Sequence, residues 1–178
     1  ANELSEHGKK ITAQISSIGG NLPVYLDIGS HDAWMNVANE TFEKLRALIK
    51  DGRFILDEKT PEKLRIWSSS DRIIAILTAD PHVIHGDLKA DQVFLTGDGY
   101  RIIDWQRPYI APPEVDLVSL LIDRHIEPRG IVSKEVIEIF WFLHLHWAVE
   151  AQYTIFPDRR WPLFNQWASE AINNILAE

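Results

Sequence analysis

The chain has 178 residues, of which 46% are hydrophobic and 25% charged, a composition that excludes an intrinsically disordered protein. Its longest strongly apolar stretch, residues 136–149, contains a glutamate and is shorter than the roughly 20 residues that a membrane-spanning helix needs. The absence of Cys excludes disulfides and thiolate metal sites and is compatible with a cytoplasmic location. The net charge of -8 argues against a nucleic-acid or anionic-membrane partner and is compatible with a cationic substrate.

The first eighty residues have mainly helical periodicity. Apolar spacing and helix-start signals predict helices at 3–18, 32–50, 60–67 and 70–76. Between the first two we expect a loop with a brief strand. Asp32 is a suitable N-cap for the second helix, and Thr60 followed by Pro61 is a typical start for the third.

Residues 81–107 have a different pattern. A short apolar pair, Val83 and Ile84, leads into a polar loop, and strand-like segments follow at 93–96 and 100–104. The Gly-Asp-Gly sequence between these segments predicts a tight hairpin centred on Asp98. A hairpin with that centre would place Gln92 opposite Asp104 at its open end.

Residues 108–178 are predicted to form three further helices, at 113–125, from a cap at Ser133 through Trp147, and at 164–175. The middle one has little polar surface, which is typical of a buried helix. We therefore predict one domain over 1–178, mainly α (α+β), with an inserted β-hairpin. The tryptophans of this region are expected to lie mostly in the core, or alternatively to line a pocket for a cationic substrate together with Glu150 and Asp158.

The densest polar cluster lies around the hairpin. The amide oxygen of Gln92 and the carboxylate of Asp104 are donors that suit Mg²⁺, which takes few protein ligands and completes its shell with water and phosphate oxygens. Asp87 is then free to orient or deprotonate a hydroxyl group. Together with a nearby Lys89, these groups are typical of phosphoryl transfer, although Lys89 is nearly as typical of an exposed surface lysine.

The spacing His85-x-Asp87-x-Lys89-x-x-Gln92, followed by Asp104, resembles the catalytic loop and metal-binding aspartate of the protein kinase-like fold. The His-Gly-Asp form, with Ile-Asp-Trp-Gln after the hairpin, is most similar to the aminoglycoside phosphotransferase and choline kinase-like family. The segment 113–117 also resembles the place where this family begins its next helix.

This resemblance implies the helical C-terminal lobe of that fold and a small-molecule kinase that uses Mg²⁺ and ATP or GTP to phosphorylate a substrate hydroxyl. It implies Asp87 as the catalytic base and Asp104 as a metal ligand. Gln92 stands where the family normally has a metal-binding Asn. His85 would brace the loop, and Asp116 would be structural.

The sequence departs from the family in two ways. Gln92 is one methylene longer than Asn, which could shift the metal or weaken its binding. Only 84 residues precede His85, and they have no Gly-rich strand-turn-strand pattern. We therefore expect that the N-terminal nucleotide-binding lobe is missing and that the isolated chain is inactive without such a lobe in cis.

Other interpretations remain open at this point. The chain could be a non-catalytic, pseudokinase-like binding module, and the upstream reading frame discriminates between this and an incomplete kinase. It could also be a metal-dependent phosphohydrolase. Incidental acids on a solvated hairpin, or a metal triad of His82, His85 and Asp87, are the further alternatives.

Overall fold

The computed structural model describes residues 2–19 and 22–177. Its helices are α1 Asn2–Ser16, α2 His31–Lys50, α3 Thr60–Ser68, α4 Asp71–Ala79, α5 Glu114–Asp123, α6 Lys134–Glu150 and α7 Pro162–Ile175. Its strands are β1 Leu26–Asp27, β2 His82–Ile84, β3 Val93–Thr96, β4 Gly99–Ile102 and β5 Tyr109–Ala111. The prediction of a mainly α (α+β) protein with a β-hairpin is confirmed. The chain divides into two compact units, one made of 1–31 and 75–137 and the other of 32–74 and 138–178.

The predicted helices are present, with ends shifted by a few residues. Helix α3 begins at Thr60 itself, because Lys59 occupies the N-cap position, and α4 continues three residues beyond the predicted end, to Ala79. The sequence analysis missed a 3₁₀ turn at Ala90–Gln92 and a π-helical turn at Ala151–Ile155. Both are too short to give a periodic signal.

In the first unit, a small sheet carries the chain into the polar loop. Its strand order is β1-β5-β2, with β5 parallel to β1 and antiparallel to β2. Ile84, at the end of β2, pairs with Tyr109. Strand β5 was not predicted, since only three residues separate Pro108 from Pro112. It nevertheless fixes where β2 ends, and with it where the polar loop begins.

The predicted hairpin is confirmed, but its register differs by one residue from the prediction. Thr96 pairs with Gly99, so the connection has two residues rather than three. Val93 pairs with Ile102. The backbone carbonyl oxygen of the preceding residue, Gln92, accepts a hydrogen bond from the backbone N–H of Ile103. Gln92 is therefore opposite Ile103, one position before Asp104.

Helix α1 packs on α5 beneath the hairpin. Its buried Ile11 and Ile15 form one cluster with Leu88 of the polar loop and Leu120 of α5. The small size of Gly8 suits this packing, because a Cβ atom there would lie 2.5 Å from the end of the Leu117 side chain. A larger residue at this position would require the Leu117 side chain to shift.

The second unit has an aromatic core. The ring of Phe142 contacts Trp34, Phe42 and Trp67, with centroids 4.5 to 6.0 Å apart. The acid of the apolar stretch, Glu138, is buried and accepts hydrogen bonds from the Trp67 indole and the Arg72 guanidinium, each at 2.7 Å. A buried carboxylate with such partners is compatible with a core helix.

Helix α6 forms the predicted buried helix, and the Ser133 hydroxyl accepts the Val136 N–H as expected of its cap. Within the residues that the structure describes, no helix is long and apolar enough to cross a membrane. The expectation of core tryptophans is wrong at two positions: Trp161 and Trp167 are 39% and 37% exposed. Glu150, proposed with them for a cationic pocket, lies 2.5 Å from the Lys44 ammonium.

Candidate functional site

The polar loop that follows β2 is held by a buried carboxylate. Asp116, in the first turn of α5, is 1% exposed. It accepts the backbone N–H of His85 at 2.7 Å and that of Gly86 at 2.9 Å, one on each oxygen. Burial raises the pKa of the Asp116 carboxyl to about 6, although the two N–H groups favour its charged form. The structural role predicted for Asp116 matches these contacts.

Gly86 turns the chain sharply between its neighbours. Its φ of +84° lies in the left-handed region that favours glycine. A Cβ atom at this position would collide with the carbonyl oxygen of Arg107 and lie 2.9 Å from the Tyr109 ring. The Gly of the His-Gly-Asp motif is therefore required by both conformation and space.

The side chain of His85 links the loop to the far strand of the hairpin. It is 1% exposed, and its Nε2 lies 2.9 Å from the carbonyl oxygen of Ile103. A carbonyl only accepts hydrogen bonds, so Nε2 carries the proton. Nδ1 is buried and has no hydrogen-bond partner among the described residues, while the ring packs on Trp105 with centroids 4.9 Å apart. These contacts are those expected of a residue that braces the loop.

Asp87 and Lys89 form the accessible part of the loop. Their side chains are 52% and 46% exposed, and the Lys89 ammonium lies 3.2 Å from a carboxylate oxygen of Asp87. Leu88 between them is fully buried in the core cluster. The loop is thus anchored by its central residue and presents a carboxylate and an ammonium on the other side.

Gln92 and Asp104 do come together, as the hairpin geometry predicted. The Gln92 Nε2 donates to Asp104 Oδ2 at 3.3 Å, and its Oε1 accepts the backbone N–H of Lys89 at 2.8 Å. The other carboxylate oxygen of Asp104 accepts the Gln106 Nε2 at 2.6 Å. Asp104 is exposed and has a φ of +68°, which is uncommon for a residue other than glycine and is often found at functional sites.

The sequence analysis predicted no role for two residues of this site, Gln106 and Asp123. The Asp123 carboxylate, at the end of α5, accepts the backbone N–H of Ala90 at 3.0 Å. Because Asp116 and Asp123 are seven residues apart, about two helical turns, they lie on one face of α5. This seven-residue spacing was the sequence feature from which a role for Asp123 beside Asp116 could have been predicted. Gln106 belongs to the Ile-Asp-Trp-Gln segment that carries the family resemblance, but a separation of two residues does not by itself predict its side-chain contact with Asp104.

The donor set fits a hard divalent cation with a small number of protein ligands. Asp104 supplies an exposed carboxylate, and amide groups of two glutamines lie against it. In the described part of the chain, no group of three or more His, Cys, Asp or Glu residues could hold a metal ion. This finding argues against a triad of His82, His85 and Asp87, and His82 instead pairs with Asp80 at 3.0 Å. The metal roles of Gln92 and Asp104 stay predictions.

Comparison with protein-family models gives a match. The model of a family described as the phosphotransferase enzyme family matches residues 30–142, which is more than half of the chain and includes the whole loop and hairpin. No curated protein and no solved structure matches the chain.

Proposed function

The chain belongs to the phosphotransferase enzyme family, and from this premise we propose that, together with an N-terminal nucleotide-binding lobe in cis, it transfers the γ-phosphoryl group of ATP or GTP to a hydroxyl group of a small molecule. The observation that carries the proposal is the loop itself. An accessible Asp87 lies on a loop whose backbone is held by Asp116, and Gln92, which follows this loop, donates a hydrogen bond to Asp104. Rigid support of exposed polar groups is what positioning catalysis requires.

In the proposed reaction, Asp87 accepts the proton of the acceptor hydroxyl as the oxygen forms its bond to the γ-phosphorus. The bond from that phosphorus to the bridging oxygen of the nucleotide breaks, and the nucleoside diphosphate leaves. The ammonium of Lys89, 3.2 Å from Asp87, holds this carboxylate and can contact a phosphate oxygen. Asp104 would hold Mg²⁺, with an amide oxygen of a neighbouring glutamine as second ligand, expected from the sequence to be that of Gln92. When bound, the ion supplies neutralisation of phosphate charge.

We infer from the negative net charge of the chain that the phosphoryl acceptor is a cationic small molecule. The chain carries 26 acidic against 18 basic residues. A negative field raises the local concentration of cations. Aminoglycosides, choline and amino-alcohols share a cationic group and a free hydroxyl, whereas a neutral sugar would gain nothing from this field.

A non-catalytic binding module is the second candidate, and the bonding of Gln92 favours it. Its amide oxygen, the atom expected to coordinate the metal, already accepts the Lys89 N–H at 2.8 Å. A carbonyl oxygen has a second lone pair, so the Gln92 oxygen can accept this N–H and still coordinate a metal, but it has one lone pair fewer for that purpose.

The test is an assay of the full-length protein with Mg²⁺ and γ-labelled ATP or GTP, offered choline, an aminoglycoside, an amino-alcohol and a neutral sugar separately. We expect label to appear in at least one cationic acceptor, with one nucleoside diphosphate formed per phosphate transferred. Release of inorganic phosphate without any acceptor product would instead support a phosphohydrolase. Nucleotide binding without turnover on any acceptor would support the binding module.

A further inference from the structure

The carboxylate of Asp104 is enclosed between two amide groups. Its Oδ2 accepts the Nε2 of Gln92, and its Oδ1 accepts the Nε2 of Gln106. An NH₂ group is a donor only and cannot coordinate a cation. In the conformation described, therefore, neither glutamine presents an oxygen to the position beside Asp104 where the proposed function needs one.

The two amides differ in their freedom to turn. Gln92 is 6% exposed, and its oxygen is fixed by the backbone N–H of Lys89 at 2.8 Å. Turning this amide over would place its NH₂ group against the backbone N–H of Lys89 and its oxygen against the Asp104 carboxylate, so that both hydrogen bonds would be lost. Gln92 is consequently held with its NH₂ group toward Asp104.

Gln106 has no such constraint among the contacts of the described residues. Its side chain is exposed, and among the described residues the 2.6 Å bond to Asp104 is the only hydrogen bond of this side chain. Its backbone N–H also donates to the Asp104 carbonyl oxygen at 2.8 Å, which keeps the two residues together whatever the side chain does. The terminal torsion of Gln is broad, so half a turn can exchange Nε2 for Oε1 beside Asp104 Oδ1. This turn gives up the hydrogen bond to Asp104, and a cation bound between the two oxygens would replace it.

We propose that Gln106, and not Gln92, supplies the amide oxygen that binds the divalent cation together with Asp104. This inference rests on the proposed function and names the second protein ligand of its metal. Gln92 is a positioning residue that holds Asp104 through Oδ2. One carboxylate and one amide oxygen match the small protein share of a Mg²⁺ shell, the rest being water and phosphate oxygens.

The test uses Mn²⁺ alone, a hard cation with the same preference for oxygen ligands. Mn²⁺ is titrated into the chain, and paramagnetic broadening is followed at the side-chain amide of Gln106 and the indole N–H of Trp105. Asp104→Asn identifies the broadening that belongs to this site rather than to other acids. Gln106→Leu removes the proposed ligand, and Gln106→Glu replaces it with a charged oxygen of the same reach; both changes are at an exposed position.

We expect Asp104-dependent broadening in the wild type, an apparent Kd about tenfold weaker in Gln106→Leu, at the lower end of losses near metal sites, and a tighter Kd in Gln106→Glu. For the leucine variant, the indole N–H of Trp105 reports the Kd. An unchanged Kd in both Gln106 variants would overturn this inference and leave the metal role of Asp104 intact. Absence of any Asp104-dependent broadening in the wild type would overturn the metal assignment of the proposed function itself.

Discussion

At the scale of single residues, the loop depends on one buried acid. Asp116 receives two consecutive backbone N–H groups while its burial opposes ionisation, so its pKa is raised to about 6. Asp116 is thus an acid whose proton is bound more tightly in the folded protein than in the unfolded chain. Its titration links the stability of the fold to pH.

The sign of this linkage gives the first prediction. The contribution of Asp116 to the free energy of unfolding is fully present below the unfolded pKa of about 4 and is lost as pH rises through about 6. Asp116→Asn lacks this titration. We therefore expect the wild-type free energy of unfolding, minus that of the variant, to fall between pH 4 and pH 6 in urea titrations at fixed ionic strength. A difference that is flat or rises over this interval would contradict the assignment.

The second prediction concerns the glycine of the motif. Gly86→Ala forces a side chain into a left-handed backbone conformation and against the Arg107 carbonyl oxygen. We expect a loss of about 1–3 kcal/mol in the free energy of unfolding, measured by chemical denaturation. Gly97→Ala is the matched control, because a Cβ atom there has nothing within 4 Å. Equal stability changes in the two variants would show that Gly86 is not under the constraint described.

At the scale of secondary-structure elements, α5 holds the loop at two points. Asp116 at its start accepts the N–H groups of His85 and Gly86, and Asp123 at its end accepts that of Ala90. One helix therefore sets both the beginning of the loop and the 3₁₀ turn that places Gln92.

Removal of the Asp123 carboxylate should loosen only the 3₁₀ turn at Ala90–Gln92. In Asp123→Ala, the Ala90 N–H loses an acceptor whose charge-assisted bond is worth roughly 1 kcal/mol at an exposed position, which corresponds to about fivefold faster exchange. Amide hydrogen exchange measured residue by residue tests this prediction. The His85 and Gly86 amides serve as internal controls and should keep their wild-type rates. Unchanged exchange at Ala90 would mean that Asp123 does not restrain the turn.

The π-helical turn at Ala151–Ile155, an element of the second unit, contains a buried amide side chain that anchors it. The fully buried Gln152 donates from Nε2 to the carbonyl oxygens of Phe156 and Arg159, at 2.9 and 2.5 Å. Its Oε1 accepts the Trp161 N–H at 3.0 Å. One amide thus satisfies three backbone groups of the segment that joins α6 to α7.

We accordingly predict that Gln152→Leu destabilises the fold by about 2 kcal/mol or more, because backbone groups lose their buried partner. Urea denaturation followed by circular dichroism gives the value. Gln166→Leu, the same change at an exposed position of α7, should stay within about 0.5 kcal/mol of the wild type. If the two variants were equally stable, the anchoring role of Gln152 would be wrong.

Local sequence patterns predicted some of these secondary-structure elements and not others. Helices α2, α6 and α7 and the hairpin were predicted because apolar periodicity and glycine turns are local signals. The hairpin register was missed by one residue, since a three-residue Gly-Asp-Gly sequence does not reveal that Gly99 itself pairs with Thr96. Strand β5 was missed because its three residues owe their conformation to pairing with β1 and β2.

At the scale of the whole molecule, the chain builds its two units from interleaved segments. Residues 32–74 interrupt the first unit and combine with the C-terminal segment from residue 138 onward. Periodicity indicates which face of a helix is buried but not which distant segment covers it, so this division was not predictable from local patterns. The motif from His85 to Asp104 was more informative, because its residues and the Ile-Asp-Trp-Gln segment after the hairpin resemble the family that the comparison then showed.

The central claim is that Asp87 is the base of a phosphoryl transfer. The most direct measurement compares the acceptor-dependent turnover of the full-length protein with that of its Asp87→Ala variant, with Mg-nucleotide affinity determined on the same samples by calorimetry. Asp91→Ala is the matched control, an exposed aspartate four residues away. We predict a fall in turnover of about 10²–10⁴-fold for Asp87→Ala, the usual contribution of a general base, with nucleotide affinity retained and the control fully active. Turnover of the Asp87→Ala variant equal to that of the wild type would contradict the account.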